Sequence, residues 1–185
     1  MGKITVETCH IEGLKIITPA VYGDARGYFC ETYHYHDFAA AGIKDTFVQD
    51  NQSASRRGVL RGLHFQKQFP QGKLVRVIHG EVFDVAVDIR EGSPSFGQWH
   101  GEILSAENKK QFFIPPGFAH GFVVLSEYAE FAYKCSEFYH PEDEGGLLWN
   151  DPQIGIQWPI PEGMEPILSE KDRQWPHLSE YLKQK

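Results

Sequence analysis

"EVFDVAVDIR", residues 81–90, alternates with a period of two. Phe83, Val85, Val87 and Ile89 fall on one face; Asp84, Ala86, Asp88 and Arg90 fall on the other. A strand turns successive side chains to opposite faces, so this stretch reads as β. "KLVRVIH" (73–79) reads as a strand before it, with "HGE" as the turn between them. "QFFI" (111–114), "GFVVLS" (121–126) and "EFAYKCSEFY" (130–139) follow the same pattern. Turn signals separate these runs: "EGSPSFG", "PPG", "HPEDEGG" and "NDPQIG". Helix is scarce. "YHDFAAAG" (35–42) suits a short helix closed by Gly42, and "HLSEYLKQK" (177–185) a fraying C-terminal one. Many short strands with Gly and Pro between them predict an all-β chain, a sandwich or barrel of jelly-roll type with a ligand cavity in its mouth.

The chain has 185 residues, which suits one domain, residues 1–185, large enough to bury a core without disulfide staples. Its net charge of −7 argues against a nucleic-acid-coating protein, though locally clustered cations can still hold a small anion. Cys9, Cys30 and Cys135 are odd in number and lack metal-ligand spacing, so reduced thiols of a cytoplasmic protein are expected. No signal peptide is evident at the start, and no apolar run approaches the roughly 18–20 residues of a membrane span.

Against the acidic balance, Arg26, Arg56, Arg57, Arg61, Lys73 and Arg76 gather in the first half. Arg61 and Lys73 flank the turn-like "QKQFPQG", so two neighbouring strands would aim both into one cavity, a pair suited to a phosphate or an oxyanion. Taken singly, each also reads as a solvated surface cation. His64, in "GLHF", reads alone as a hydrogen-bonded core ring; no second histidine at i+2 offers a His-x-His metal site. A base role would need an orienting carboxylate, for which Asp84, Asp88 and Asp172 all qualify and spacing does not choose. His120, in "IPPGFAHGF", is expected at a strand start near the barrel mouth or simply in a turn. Tyr133 shares a face with Phe131 and Cys135; if that face is inward its hydroxyl needs a partner.

Read together, "DARGYFCETY", "FVQDNQSAS", "RGVLRGLHFQ", "PQGKLVRVIHGEVFDVAVDIR", "FFIPPGFAHGF", "YKCSEFYHPEDEGGLLWNDPQIGIQWP" and "LSEKD" stand in the order seen in dTDP-4-dehydrorhamnose 3,5-epimerases. The chain resembles that family over roughly residues 12–175. The resemblance implies a cupin-type β-jelly roll with a few short peripheral helices, working as a homodimer without metal or cofactor. It implies a dTDP-linked 4-keto-6-deoxy sugar as substrate, epimerised through an enolate at the carbons flanking the ketone. By motif match His64 is the base, Asp172 its partner, Tyr133 the acid on the opposite face and Lys73 the stabiliser of the enolate. Arg61 and Arg26 match diphosphate positions; Glu31, Gln49 and Asn51 match nucleotide or sugar contacts; Phe29 and Tyr139 match the thymidine pocket; His120 matches a position near the sugar. The resemblance also implies that Arg26, Phe29 and Glu31 lie in a segment reaching the partner subunit's site. Three other readings stay open: inversion at a single centre on a related 4-keto sugar, a non-catalytic sugar-nucleotide-binding cupin, and a metal-dependent cupin oxygenase or isomerase.

Overall fold

The structure is a computed structural model that describes residues 3–183, so the first two residues and the last two of the expected C-terminal helix lie outside it. In chain order the elements are β1 (Ile4–Thr8), β2 (Lys15–Pro19), β3 (Val21–Asp24), β4 (Gly27–Cys30), α1 (Tyr35–Ala40), β5 (Gln49–Arg56), β6 (Leu60–Gln66) and β7 (Lys73–His79). They continue with β8 (Glu81–Asp88), β9 (Trp99–Ser105), β10 (Gln111–Ile114), β11 (Phe118–Val124), β12 (Tyr128–Cys135), β13 (Glu144–Gly146), α2 (Glu170–Arg173) and α3 (Leu178–Lys183). A six-stranded sheet runs β1-β2-β10-β7-β12-β5, a five-stranded sheet β13-β6-β11-β8-β9, and β3-β4 form a separate ribbon. The named pairings are antiparallel, as the jelly-roll expectation requires.

Parity decides what each strand contributes. Val75 and Val77 of β7, Phe112 and Ile114 of β10 and Phe131 of β12 pack with Val82 and Ala86 of β8 and Phe118, Phe122 and Val124 of β11. These side chains fill the space between the two sheets. The opposite parity is also covered. Leu63, Val85, Val87 and Ala119 form the outer face of the five-stranded sheet and pack under Leu147, Ile154, Leu178 and Tyr181 of the C-terminal segment. Ile17, Leu74 and Phe113 of the other sheet pack under Phe38 and Ile43. The apolar face of residues 81–90 therefore turns outward under the tail, and the face bearing Asp84 turns inward. With both faces covered, β11 is buried at every residue.

Each large apolar side chain buried under the tail contributes about 1.5–3 kcal/mol. Asp151, itself buried, pins the tail by accepting the Leu178 N–H at 2.6 Å and the Gln153 N–H at 2.8 Å. This docking matters for function, because α2 rides on the same tail. Gly42, with φ +83°, ends α1 as expected, its N–H donating to the Ala39 carbonyl. Among the described residues the cysteines Cys9, Cys30 and Cys135 are free, and no helix is long and apolar enough to cross a membrane.

Candidate active site

A cavity of about 440 Å³ opens between the sheets, within the range of small-molecule sites. Arg61, His64, Lys73, His120, Tyr133, Tyr139 and Asp172 all line it. Gln49 and Asn51 line an adjoining recess that shares His64, Lys73, Tyr133, Tyr139 and Glu144 with it. Arg61 and Lys73 converge as expected but not from neighbouring strands: β6 and β7 belong to different sheets and face each other across the sandwich. The same division puts His64 (β6) and His120 (β11) on one wall, and Lys73 (β7) and Tyr133 (β12) on the other.

The two histidines are cross-strand partners in register, His120 opposite His64. Close approach of β6 and β11 allows this. A Cβ on Gly62 would lie 2.5 Å from the Gly121 Cα, so neither strand tolerates a side chain at the crossing. Of the two expectations for His120 the strand one holds and the turn one does not: it is the third residue of β11, buried, and it lines the cavity. Its Nε2 lies 3.0 Å from both Asp84 carboxylate oxygens. Burial pushes the Asp84 carboxyl up, against the pull of His120 and Lys73, and pushes the His120 ring down. Both groups are thus driven toward their neutral forms.

His64 differs. Its side chain keeps 25 % of its exposure, and its Nε2 sits 2.5 Å from Oδ1 of the buried Asp172. Burial alone would raise the Asp172 carboxyl, but the hydrogen bonds to His64 and Ser169 hold it below the ordinary carboxylate range. Asp88, the third carboxylate that spacing leaves open, serves neither histidine. It binds the Arg90 guanidinium and the Ser93 and Ser95 hydroxyls. Lys73 is pushed down by burial, against Cys135, Asp84 and Glu144, which favour its charge. Tyr133 is pushed up, chiefly by burial, so it stays protonated at neutral pH.

At the mouth, Arg61 donates through Nε and Nη2 to the Ser55 hydroxyl on the opposite sheet, at 3.2 and 3.1 Å. Gln49 donates to Asn51 and accepts the Tyr139 N–H at 2.9 Å, which ties the exposed Tyr139 loop to β5. Arg26, Phe29 and Glu31 do not line the cavity. Arg26 is 90 % exposed at the tip of the β3-β4 ribbon and paired with Asp24. Phe29 is 60 % exposed on that ribbon. Among the described residues Glu31, His34 and Asp37 form the one group with metal-ligand spacing, their ligand atoms within 4.8 Å, and none of the three lines the cavity.

Glu144 and Lys171 line the cavity, and no sequence signal singles them out. Lys171 Nζ donates to Glu144 at 2.7 and 2.9 Å, and the Tyr139 hydroxyl donates to the same carboxylate at 3.3 Å. Lys171 adjoins Asp172 in "SEKD", and Glu144 opens a glycine pair, but each reads locally as a solvated charge.

The sequence matches the family model for dTDP-4-dehydrorhamnose 3,5-epimerase over residues 8–180. It is 61 % identical over 160 residues to the dTDP-4-dehydrorhamnose 3,5-epimerase of Pseudomonas aeruginosa, covering 86 % of this chain and 87 % of that protein. It is 56 % identical over 170 residues to the epimerase of the same name from Methanothermobacter thermautotrophicus, covering 92 % of each. The fold superposes on the Legionella pneumophila dTDP-6-deoxy-D-glucose-3,5-epimerase, solved in complex with dTDP-4-keto-L-rhamnose. That match has a TM-score of 0.92 and 56 % identity, over 95 % of this chain and 93 % of that one. With its two-sheet cavity and its match along nearly the whole sequence, the chain belongs to the dTDP-4-dehydrorhamnose 3,5-epimerase family.

Proposed function

We infer that this single-domain chain is a dTDP-4-dehydrorhamnose 3,5-epimerase, an isomerase that inverts the two carbons flanking the ketone of a dTDP-linked 4-keto-6-deoxy sugar. The starting sugar is dTDP-4-dehydro-6-deoxyglucose and the product dTDP-4-dehydro-L-rhamnose. One observation carries the mechanism: within this family's fold, His64 and Tyr133 stand on opposite walls of one cavity. Inversion needs a proton removed from one face of a carbon and returned to the other, so a ring lying between the walls meets a base on one side and an acid on the other.

His64 Nε2 faces Asp172, so Nε2 carries the proton and Nδ1 holds the lone pair that accepts the substrate's hydrogen. The ionised Asp172 then stabilises the imidazolium. Lys73 stabilises the enolate oxygen, and burial, by lowering its pKa, lets its ammonium share a proton with that oxygen more readily. Tyr133, kept protonated, returns hydrogen to the opposite face. Arg61 binds the diphosphate at the mouth, Gln49 and Asn51 contact the nucleotide or the sugar, Tyr139 lines the thymidine pocket, and His120 borders the sugar.

The β3-β4 ribbon supports a homodimer. Val21, Tyr22, Tyr28 and Phe29 are 45–61 % exposed on it, an apolar surface that a second copy would cover. Arg26, Phe29 and Glu31 would then complete the partner subunit's site. Proton NMR in deuterated water with the 4-keto-6-deoxyglucose nucleotide tests the whole reading. Deuterium is expected at both flanking carbons, with the L-series ketose accumulating. Exchange at one carbon would make the protein a single-centre epimerase; binding without exchange would make it a sugar-nucleotide-binding cupin.

A further inference from the structure

The geometry points to Ser169 as a positioning residue that aims Asp172 at His64 by capping and carboxylate bonding through one hydroxyl. Ser169 Oγ accepts the Asp172 N–H at 3.1 Å, which makes it the N-cap of α2. The same Oγ donates its proton to Asp172 Oδ2 at 2.8 Å. Asp172 Oδ1 is left to His64. The hydroxyl therefore closes a ring with the residue it caps, fixing that residue's backbone and its side chain together. A cap alone would need only the acceptor half of this arrangement.

The second half has a chemical consequence. Asp172 is 3 % exposed, and α2 is a single turn on a docked tail. Donation to Oδ2 keeps one carboxylate oxygen occupied, so the other cannot rotate away from the histidine. With His64, the larger influence, and Trp175 it also supports the charged form, which burial opposes. This role rests on the assignment of His64 and Asp172 as the base pair.

Two substitutions separate the halves. Ser169→Gly caps a helix nearly as well as serine but cannot donate; Ser169→Thr keeps both functions. In steady-state assays across pH, Ser169→Gly is expected to lower kcat about tenfold, the size of one hydrogen bond to a charged group, with KM within about twofold. Its acid limb should move to higher pH, because Asp172 takes up a proton more easily without the donor. Ser169→Thr should restore most of kcat and return the limb. An unchanged kcat, an unshifted acid limb, or a raised KM with intact kcat in Ser169→Gly would overturn the inference; the last would mark Ser169 as a substrate contact. Asp172→Asn, run alongside, isolates the underlying assignment. Normal turnover by it would sink both readings, whereas its inactivity beside a normal Ser169→Gly would sink only the role of Ser169.

Discussion

Two histidine–aspartate pairs stand side by side in this cavity and behave as opposites. His64 and Asp172 meet at 2.5 Å with the ring one quarter exposed. His120 and Asp84 meet at 3.0 Å with the ring at 8 % and the carboxylate at 0 % exposure. In the first pair the hydrogen bonds outweigh burial, and Asp172 is held down in its charged form. In the second, burial wins, with Asp84 pushed up and His120 pushed down. The residue types are identical, so solvent access and the third partner decide the chemistry. The open pair sets a solvent-reachable ring against a charged carboxylate. Burial drives the sealed pair toward its neutral forms beside Lys73.

The largest effects should come from testing the histidines against each other. His64→Ala is expected to lower turnover by about 100–10,000-fold and to stop deuterium wash-in at both ring positions, since it removes the base. Binding of dTDP, measured by calorimetry, should stay nearly intact. His120→Ala should instead fall hardest on thermal stability, because it leaves a buried carboxyl without its partner. Rapid wash-in by His64→Ala would erase the contrast and place the base elsewhere.

The aspartates sharpen it further. Asp172→Asn should cost turnover on the order of 100-fold or more, because an amide no longer enforces the tautomer with the lone pair toward substrate. Asp84→Asn should cost about 1–3 kcal/mol of stability, on the order of 2–12 °C in melting temperature, through imperfect pairing of a buried group. Melting curves and kcat together decide. Equal kinetic losses in the two variants would show that both pairs move protons. Across the cavity, Tyr133→Phe should slow inversion about tenfold or more while sparing the first proton removal. Equal loss of wash-in and inversion would deny Tyr133 a dedicated acid role.

The contrast also marks what a sequence can show. The strands are legible because period-two runs bounded by Gly and Pro have few other readings, as in residues 81–90. Which carboxylate serves which histidine is not. Asp84 reaches His120 only because β8 and β11 are neighbours in the folded sheet, and Asp172 reaches His64 across 108 positions. Nor does alternation reveal that the apolar face of β8 turns outward, since the cover comes from Leu147, Ile154, Leu178 and Tyr181, far along the chain. His120 reads as a residue near a turn because "PPG" lies just before it. The strand begins at Phe118, directly after the turn and three residues before the run read at 121–126, and carries the ring into the core. The family motifs alone draw Arg61, His64, Lys73, Tyr133 and Asp172 together, but Glu144 and Lys171 become visible only as a bonded pair on the cavity wall.

A third histidine beside an acid tests whether the balance of burial and partners is the right explanation. His100 lies 3.8 Å from Glu102, and the attraction of its cation to the neighbouring Cys9 and Glu102 outweighs burial, raising it from 6.5 to about 9. His120, with burial dominant, moves the other way from the same 6.5. The signs for stability are therefore opposite. Folded His100 keeps its proton longer than the unfolded chain does, so its contribution is complete below about pH 6.5 and is lost as pH rises through about 9. Unfolded His120 takes up a proton before the folded ring does, so its contribution is present above about pH 6.5 and is lost as pH falls. After discounting for partial exposure, the His100 effect should be about 2–4 °C in melting temperature. Melts of His100→Gln and His120→Gln at about pH 5, 7 and 10 read both slopes. The deficit of His100→Gln should shrink toward alkaline pH and that of His120→Gln toward acid. Deficits that change in the same direction would mean that something other than the contest between burial and partners sets these rings apart.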